Sequence, residues 1–217
     1  MPRQVDHVSR RRHIAEAVCR LADERGLEGV TLRDVAARAQ VSMGAVQRCF
    51  RTKEEMLVFA LGQIGERIGE RAQARLLRSP AQSAGTALGH AAAEISLLRE
   101  EHRAEARVWL AFAAQAAVST TLAETLKANY APLQEAFARL ISEAAADRAA
   151  PLDPHLEART LLALADGLTV HVLIGHLAPH EAHDVLHAHL ARLLEQPVTP
   201  APGPEGTDAH RAPGAAG

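Results

Sequence analysis

Cysteine occurs only twice in this 217-residue chain, and aromatic side chains make up just 3% of it. Cys19 and Cys49 stand far apart, without the spacing of a metal knuckle or a redox pair, so neither a disulfide framework nor a thiolate metal site is indicated. Cys19 reads as a packing residue; Cys49 reads as a small packing residue or as a thiol sensor, which would need an exposed, electropositive setting. There is no signal-peptide pattern and no uninterrupted apolar run long enough to span a bilayer, so no membrane association is expected and the expected location is cytoplasmic. A glycine-rich phosphate loop, a nucleophile with an identifiable base and a convincing metal-ligand set are all lacking, which argues against an enzyme and against any cofactor.

What is abundant is alanine within a 47% hydrophobic composition, with few β-branched runs to compete. That balance predicts an all-α fold. The net charge of −2 conceals an asymmetry: residues 1–53 carry 11 Lys+Arg against 6 Asp+Glu, or +5, which leaves −7 for the rest. A basic end on an otherwise acidic chain is what phosphate neutralisation requires.

The basic end contains the most informative stretch, Thr31 to Phe50. Leu32, Val35, Ala36 and Ala39 recur at helical spacing and define one buried face. Thr31 precedes them and Asp34 follows three residues on, a helix start signal. Val41 reads as the apolar plug of a turn, and Ser42 as the cap of a second short helix, Met43 to Cys49. Its inner face is Val46 and Phe50; Met43, Gly44, Ala45, Gln47 and Arg48 form the other. Small residues let such a backbone approach a major groove, while Gln47 and Arg48 offer donors to base edges. Thr52 with Glu55 then caps a long helix extending to about Arg78, where Ser79-Pro80 breaks it, and Lys53 near its start is placed to reach a phosphate. Upstream, residues 2–9 are polar and expected to be mobile, and Arg10-Arg11-Arg12 opens a first helix whose buried side is Ile14, Val18 and Leu21. The arginine triplet reads either as a solvated face or as a phosphate or minor-groove contact.

TLRDVAARAQVSMGAVQRCFRTKEEML resembles the N-terminal signature of the tetracycline-repressor family of bacterial regulators, over about residues 10 to 60. It departs from the usual pattern at Gln40, where a turn glycine is common, and at Gln47 and Cys49, where aromatic or histidine residues are common. The resemblance implies a helix-turn-helix DNA-binding domain (1–53) and a helical ligand-binding and dimerisation domain (54–196). It also implies a homodimer reading a palindromic double-stranded operator, most simply a repressor released by a small-molecule effector. The DNA-facing candidates are Thr31, Arg33, Ser42, Met43, Gly44, Ala45, Gln47, Arg48 and Lys53. One alternative is a helical dimer that senses a ligand or binds a protein partner without operator binding; a less favoured one is a metal-dependent enzyme using the C-terminal histidines.

Farther on, a helix is expected from about Pro80 to Leu98 despite Gly85 and Gly89, then one carrying Val108, Trp109, Leu110 and Phe112. Thr121 and Glu124 should begin the next, striped by Leu122, Leu126, Tyr130, Leu133, Phe137 and Leu140. Asp153-Pro154 is a start signal for a helix whose segment 161–177 is apolar nearly all round, interrupted by Asp166, His171 and His176. A last amphipathic helix begins at Pro179. The resemblance makes the helices near 154–177 and 179–195 the dimer bundle and implies an effector cavity. Trp109, Phe112, Gln115, Tyr130, Phe137 and His171 are its candidate lining, or simply core in a domain poor in aromatics. EARVWLAFAAQA and LLALADGL resemble the betaine-regulator subgroup. Seven of the twelve histidines fall between His155 and His189. The i, i+4 pairs His176/His180 and His183/His187 could clamp a metal, make dimer stability pH-dependent, or simply pack. No metal is assigned. The glycine- and proline-rich run 197–217 should be a disordered tail.

Overall fold

The computed structural model describes residues 2–78, 83–146 and 152–194; the predicted disordered tail lies outside them. Among the described residues every regular element is helical. The order is α1 (Pro2–Arg25), α2 (Leu32–Arg38), α3 (Met43–Cys49), α4 (Lys53–Arg78), α5 (Ala84–Ile95), a 3-10 turn (Glu100–His102), α6 (Arg103–Ala116), α7 (Thr120–Ala144), α8 (Pro154–Leu173) and α9 (Pro179–Leu194).

Local chemistry accounts for most boundaries. Thr31 Oγ1 accepts from the Asp34 N–H at 3.2 Å, and Ser42 Oγ accepts from Ala45 N–H at 3.2 Å, so both expected caps form. At α4, Thr52 Oγ1 accepts from Glu55 N–H while the Glu55 carboxylate accepts from Arg51 N–H, a reciprocal box displaced by one residue. Asp153 accepts from both His155 and Leu156, with Pro154 at the first helical position. Gly26 ends α1 at φ +72°.

Three expectations need correction. The first helix begins at Pro2 rather than at the arginines, because proline is compatible with a first turn and nothing after it breaks the run. α5 starts only at Ala84, capped by Ser83, because Ser83 rather than Pro80 presents the capping oxygen. α7 starts one residue earlier than predicted, because Ser119 accepts from Leu122 N–H. This helix also runs through Pro132; both Pro132 and Ala128 are exposed, so the carbonyl deprived of its partner can bond water.

Two apolar cores form. The first joins α1, α2, α3 and the front of α4 to Ala106, Val108, Phe112 and Ala116 of α6. The second joins α5, the rear of α7, α8 and α9. The expected division at residue 53 falls at the start of α4, whereas Met56, Leu57, Ala60, Leu61, Ile64 and Ile68 belong to the first core. A single rigid helix is therefore built into the N-terminal core while it also packs on α5 and α7.

Candidate nucleic-acid interface and effector cavity

α2 and α3 are each only seven residues long, too short to hold alone, so their orientation is a packing result. Val35, Val46 and Phe50 are completely or almost completely buried against Ile14, Val18 and Met56. Between the helices, Gln40 takes φ +54°, the left-handed conformation that favours glycine, which explains why its position in the turn is unusual.

This packing leaves one face of α3 outward. Gln47 and Arg48 are exposed, Met43 is 40% exposed, and Ser42 stands exposed at the cap. The Arg48 guanidinium lies back over Gly44, where a Cβ would meet Nη1 at 3.5 Å, so a small residue gives the arginine its resting place. Ala45 faces the other way and is buried, and Cys49 is buried beside it as a packing residue. Helical geometry decides this: positions 45, 46 and 49 share the face sealed by the core.

Neighbouring groups are committed to different degrees. Arg33 is exposed. The Thr31 hydroxyl donates to the Asp34 carboxylate at 2.5 Å, which holds that carboxyl below its ordinary range. Lys53 Nζ donates to the Leu27 carbonyl at 3.5 Å, tying the start of α4 to the turn that follows α1. Of the arginine triplet, Arg12 is exposed, whereas Arg11 folds inward. Its guanidinium sits 4.5 Å from the centroids of both Phe50 and Phe59 and pairs with Glu55 at 3.3 Å. Two aromatic faces and a carboxylate make Arg11 a clamp between α1 and α4.

A cavity of about 510 Å³ lies between α4, α6 and α7. Trp109 and Tyr130 line it and meet edge to face, with ring centroids 6.4 Å apart. The Tyr130 hydroxyl donates to the Asp166 carboxylate of α8. Burial pushes that carboxyl up to about 6, against the pull of the tyrosine hydrogen bond; burial and the nearby carboxylate push the tyrosine upward too. Of the other predicted lining residues, Phe112 and Phe137 are buried in separate cores, Gln115 is half-buried outside the cavity wall, and His171 is exposed at the end of α8, 4.9 Å from the His176 ring.

Sequence reasoning did not single out Gln73, Asn129 or the glycines of α4 as cavity residues. A Cβ on Gly65 would lie 2.8 Å from the Asn129 side chain, so that glycine lets α7 approach α4, and Asn129 Nδ2 donates to the Leu61 carbonyl at 3.5 Å. Glycines on one face of an otherwise strongly helical segment were the available signal.

Links cross from the reading end to the cavity end. Arg107 of α6 donates to Asp23 of α1 at 2.6 Å, and Ser119 donates to Glu54 at 3.4 Å. Farther along, Arg71 bonds both Glu94 and Glu105, at 3.0 and 2.5 Å, joining α4, α5 and α6. Among the described residues, no group of three His, Cys, Asp or Glu side chains is placed to share a metal ion, and no helix is long and apolar enough to cross a membrane.

Comparison with known proteins gives this geometry its context. Residues 14–58 match the family described as bacterial regulatory proteins, tetR family, and residues 84–195 match the BetI-type transcriptional repressor C-terminal domain. The HTH-type transcriptional regulator PksA of Bacillus subtilis is 32% identical over 177 residues, covering 80% of this chain and 83% of PksA. A transcriptional regulator from Rhodococcus sp. Rha1 superposes with a TM-score of 0.75 at 30% identity, covering 85% of this chain and 95% of that one. A regulator from Saccharomonospora viridis, solved in complex with choline, superposes with a TM-score of 0.71 at 25% identity, covering 85% of this chain and 94% of that one. These relatives are regulators and not enzymes, and with an N-terminal helix-turn-helix joined to a BetI-type helical domain, the chain belongs to the TetR family of bacterial transcription regulators.

Proposed function

We propose that this protein is a cytoplasmic, homodimeric repressor that binds a palindromic operator and leaves it when a small organic effector occupies the cavity between α4, α6 and α7. The observation that carries the reading is the outward face of α3: Gln47 and Arg48 exposed beside Gly44, with the opposite face sealed into the core. In this reading Arg48 and Gln47 contact base edges, Met43 and Gly44 allow close approach, and Ser42, Arg33, Thr31 and Lys53 contact phosphates. Ala45 supports the helix from below.

Support for a dimer comes from apolar side chains left in the open on the last two helices. Leu156 and Ile174, at the two ends of α8, are 55% and 68% exposed, and Val185 of α9 is 42% exposed. A second copy packed on α8 and α9 would cover them, and its twofold axis would impose a palindrome on the DNA. The cavity favours a mainly apolar effector anchored by a few hydrogen bonds, since Trp109, Tyr130, Leu126 and Leu133 supply area and Asn129 and Gln73 supply polarity. The choline held by the Saccharomonospora viridis regulator supports a small organic molecule as effector on this fold. An effector that binds better when the α4–α7 contact is rearranged would shift the population away from the DNA-competent arrangement.

Selection of bound fragments from a random DNA pool, followed by titration of the winner across salt concentrations, tests the operator reading. A palindromic motif with a steep salt slope is expected. Failure to enrich any motif while the dimer stays intact would favour a sensor or partner-binding role without DNA.

A further inference from the structure

A second, larger cavity of about 1000 Å³ opens near the far end of α4 from the reading helices, between α4, α5, the end of α7 and α9. It is separate from the α4–α6–α7 cavity and shares no lining residue with it. Five of its side chains are basic or can become so: Arg75, Arg99, His90, His183 and His187; among the described residues Glu143 is the single acidic group in the wall. Leu190 and Leu194 of α9 supply an apolar wall beside them.

Three observations point to an anion site. First, Arg75 Nε and His90 Nδ1 are buried and have no hydrogen-bond partner. The carboxylates near the two arginines engage them only at long range: Glu94 is bonded to Arg71 at 3.0 Å and stands 4.0 Å from both Arg75 and Arg99, and the exposed Glu101 stands 3.5 Å from Arg99. Second, the surroundings disfavour added positive charge. Burial, then His187 and Arg99, push the His183 imidazole below its ordinary value, with Asp184 alone opposing. Third, the space is not dictated by packing. Gly89 lies within α5, where glycine weakens a helix, yet a Cβ there would meet nothing within 4 Å. The two facing histidines, His183 and His187, have ring centroids 6.3 Å apart and gain no third metal ligand among the described residues.

We propose that this cavity is a second ligand site, for an aliphatic carboxylate whose head lies among Arg75, Arg99 and His183 and whose chain lies along Leu190 and Leu194. The carboxylate pairs with the guanidinium ends of Arg75 and Arg99, which line the cavity. It also reverses the local field, so His183 takes up a proton on binding; Arg99, His187 and Asp184 face that imidazole, and Arg75, His90 and Glu143 share the cavity. Affinity therefore rises as pH falls through the imidazole range.

Isothermal titration of the full chain with decanoate tests this, with decyltrimethylammonium as the control of opposite charge, both below their micellar concentrations. Decanoate should bind, with proton uptake revealed by buffers of different ionisation enthalpy, and the ammonium should not. Arg75→Gln should weaken binding about tenfold or more, as expected for loss of a charge-assisted hydrogen bond. Gly89→Leu should block the cavity and abolish binding without lowering thermal stability, since it fills open space and improves a helical position. Emission from Trp109, the sole tryptophan, should stay unchanged, because it lines the other cavity. Absence of decanoate binding, equal binding of the ammonium, or binding that survives both substitutions would overturn the proposal. So would quenching of Trp109 together with loss of binding in Trp109→Ala, which would place the carboxylate in the effector cavity. None of these outcomes depends on operator binding.

Discussion

Around the reading helix, Val35, Val46, Phe50 and Met56 are sealed to 1% exposure or less and the starts of α2, α3 and α4 are closed by caps. Around Trp109 and Tyr130, by contrast, the core is interrupted by a cavity, a carboxylate is held inside with its pKa raised, and Gly65 lets α7 approach α4 without filling the space. The first region holds one shape so that a few exposed side chains keep their geometry. The second keeps space and unsettled charge, which lets a ligand alter the balance between arrangements.

Truncating the tight region should cost most. Phe50→Ala is expected to lose about 3–5 kcal/mol of stability in denaturant titration, because it empties a core and removes one face of the Arg11 clamp. Leu133→Ala, at the cavity wall and only half-buried, should lose less than about 2 kcal/mol. Equal losses would break the comparison.

Asp166→Asn probes the unsettled charge. The folded carboxyl titrates near 6 against an ordinary value of 3.8, so the native state holds a proton that the unfolded chain has released between those pH values. Stability should therefore fall as pH rises from about 4 to about 6, by roughly 2–3 kcal/mol, and stay low above that. An amide cannot ionise, so the Asp166→Asn variant should lack this slope and be the more stable form at about pH 8. A wild-type profile that is flat across the window would mean the carboxylate is solvated.

Arg48→Ala should weaken operator binding by about 1–3 kcal/mol and relax base preference at one position, measured by competition between operator variants. Lys53→Ala should weaken all sequences alike and reduce the salt slope by about one. Gln40→Gly sharpens the contrast at the smallest scale: relieving a left-handed non-glycine residue should stabilise the protein by about 1 kcal/mol or less, without changing which bases are preferred.

The N-terminal unit was legible because its signals are local. Thr31, Ser42 and Thr52 announce their helices within three residues, and the spacing of Leu32, Val35, Ala36 and Ala39 names the buried face. Even so, the sequence pattern points Ala45 outward although it is buried, because one turn of a seven-residue helix leaves the edge of its buried face undefined by periodicity. Arg11 could be read as a phosphate contact because nothing local reveals Phe50 and Phe59 closing on it from elsewhere in the chain. The cavity was less legible still. Trp109 and Tyr130 line it, but Phe112, Phe137, Gln115 and His171 do not, although all six lie on helices of the same domain.

By itself the sequence determined that the chain is helical, where most of its helices begin, that the basic end carries the reading motif, and which family signature that motif bears. Those properties depend on residues within a turn or two of one another, or on composition. Only the tertiary structure decided which aromatics face space and which face core, that Tyr130 donates to Asp166, that α4 belongs to the first core while packing on α5 and α7, and that Arg75 and His90 end with buried nitrogens lacking partners. These are juxtapositions of residues distant in sequence, fixed by how helices pack, and no local pattern encodes them.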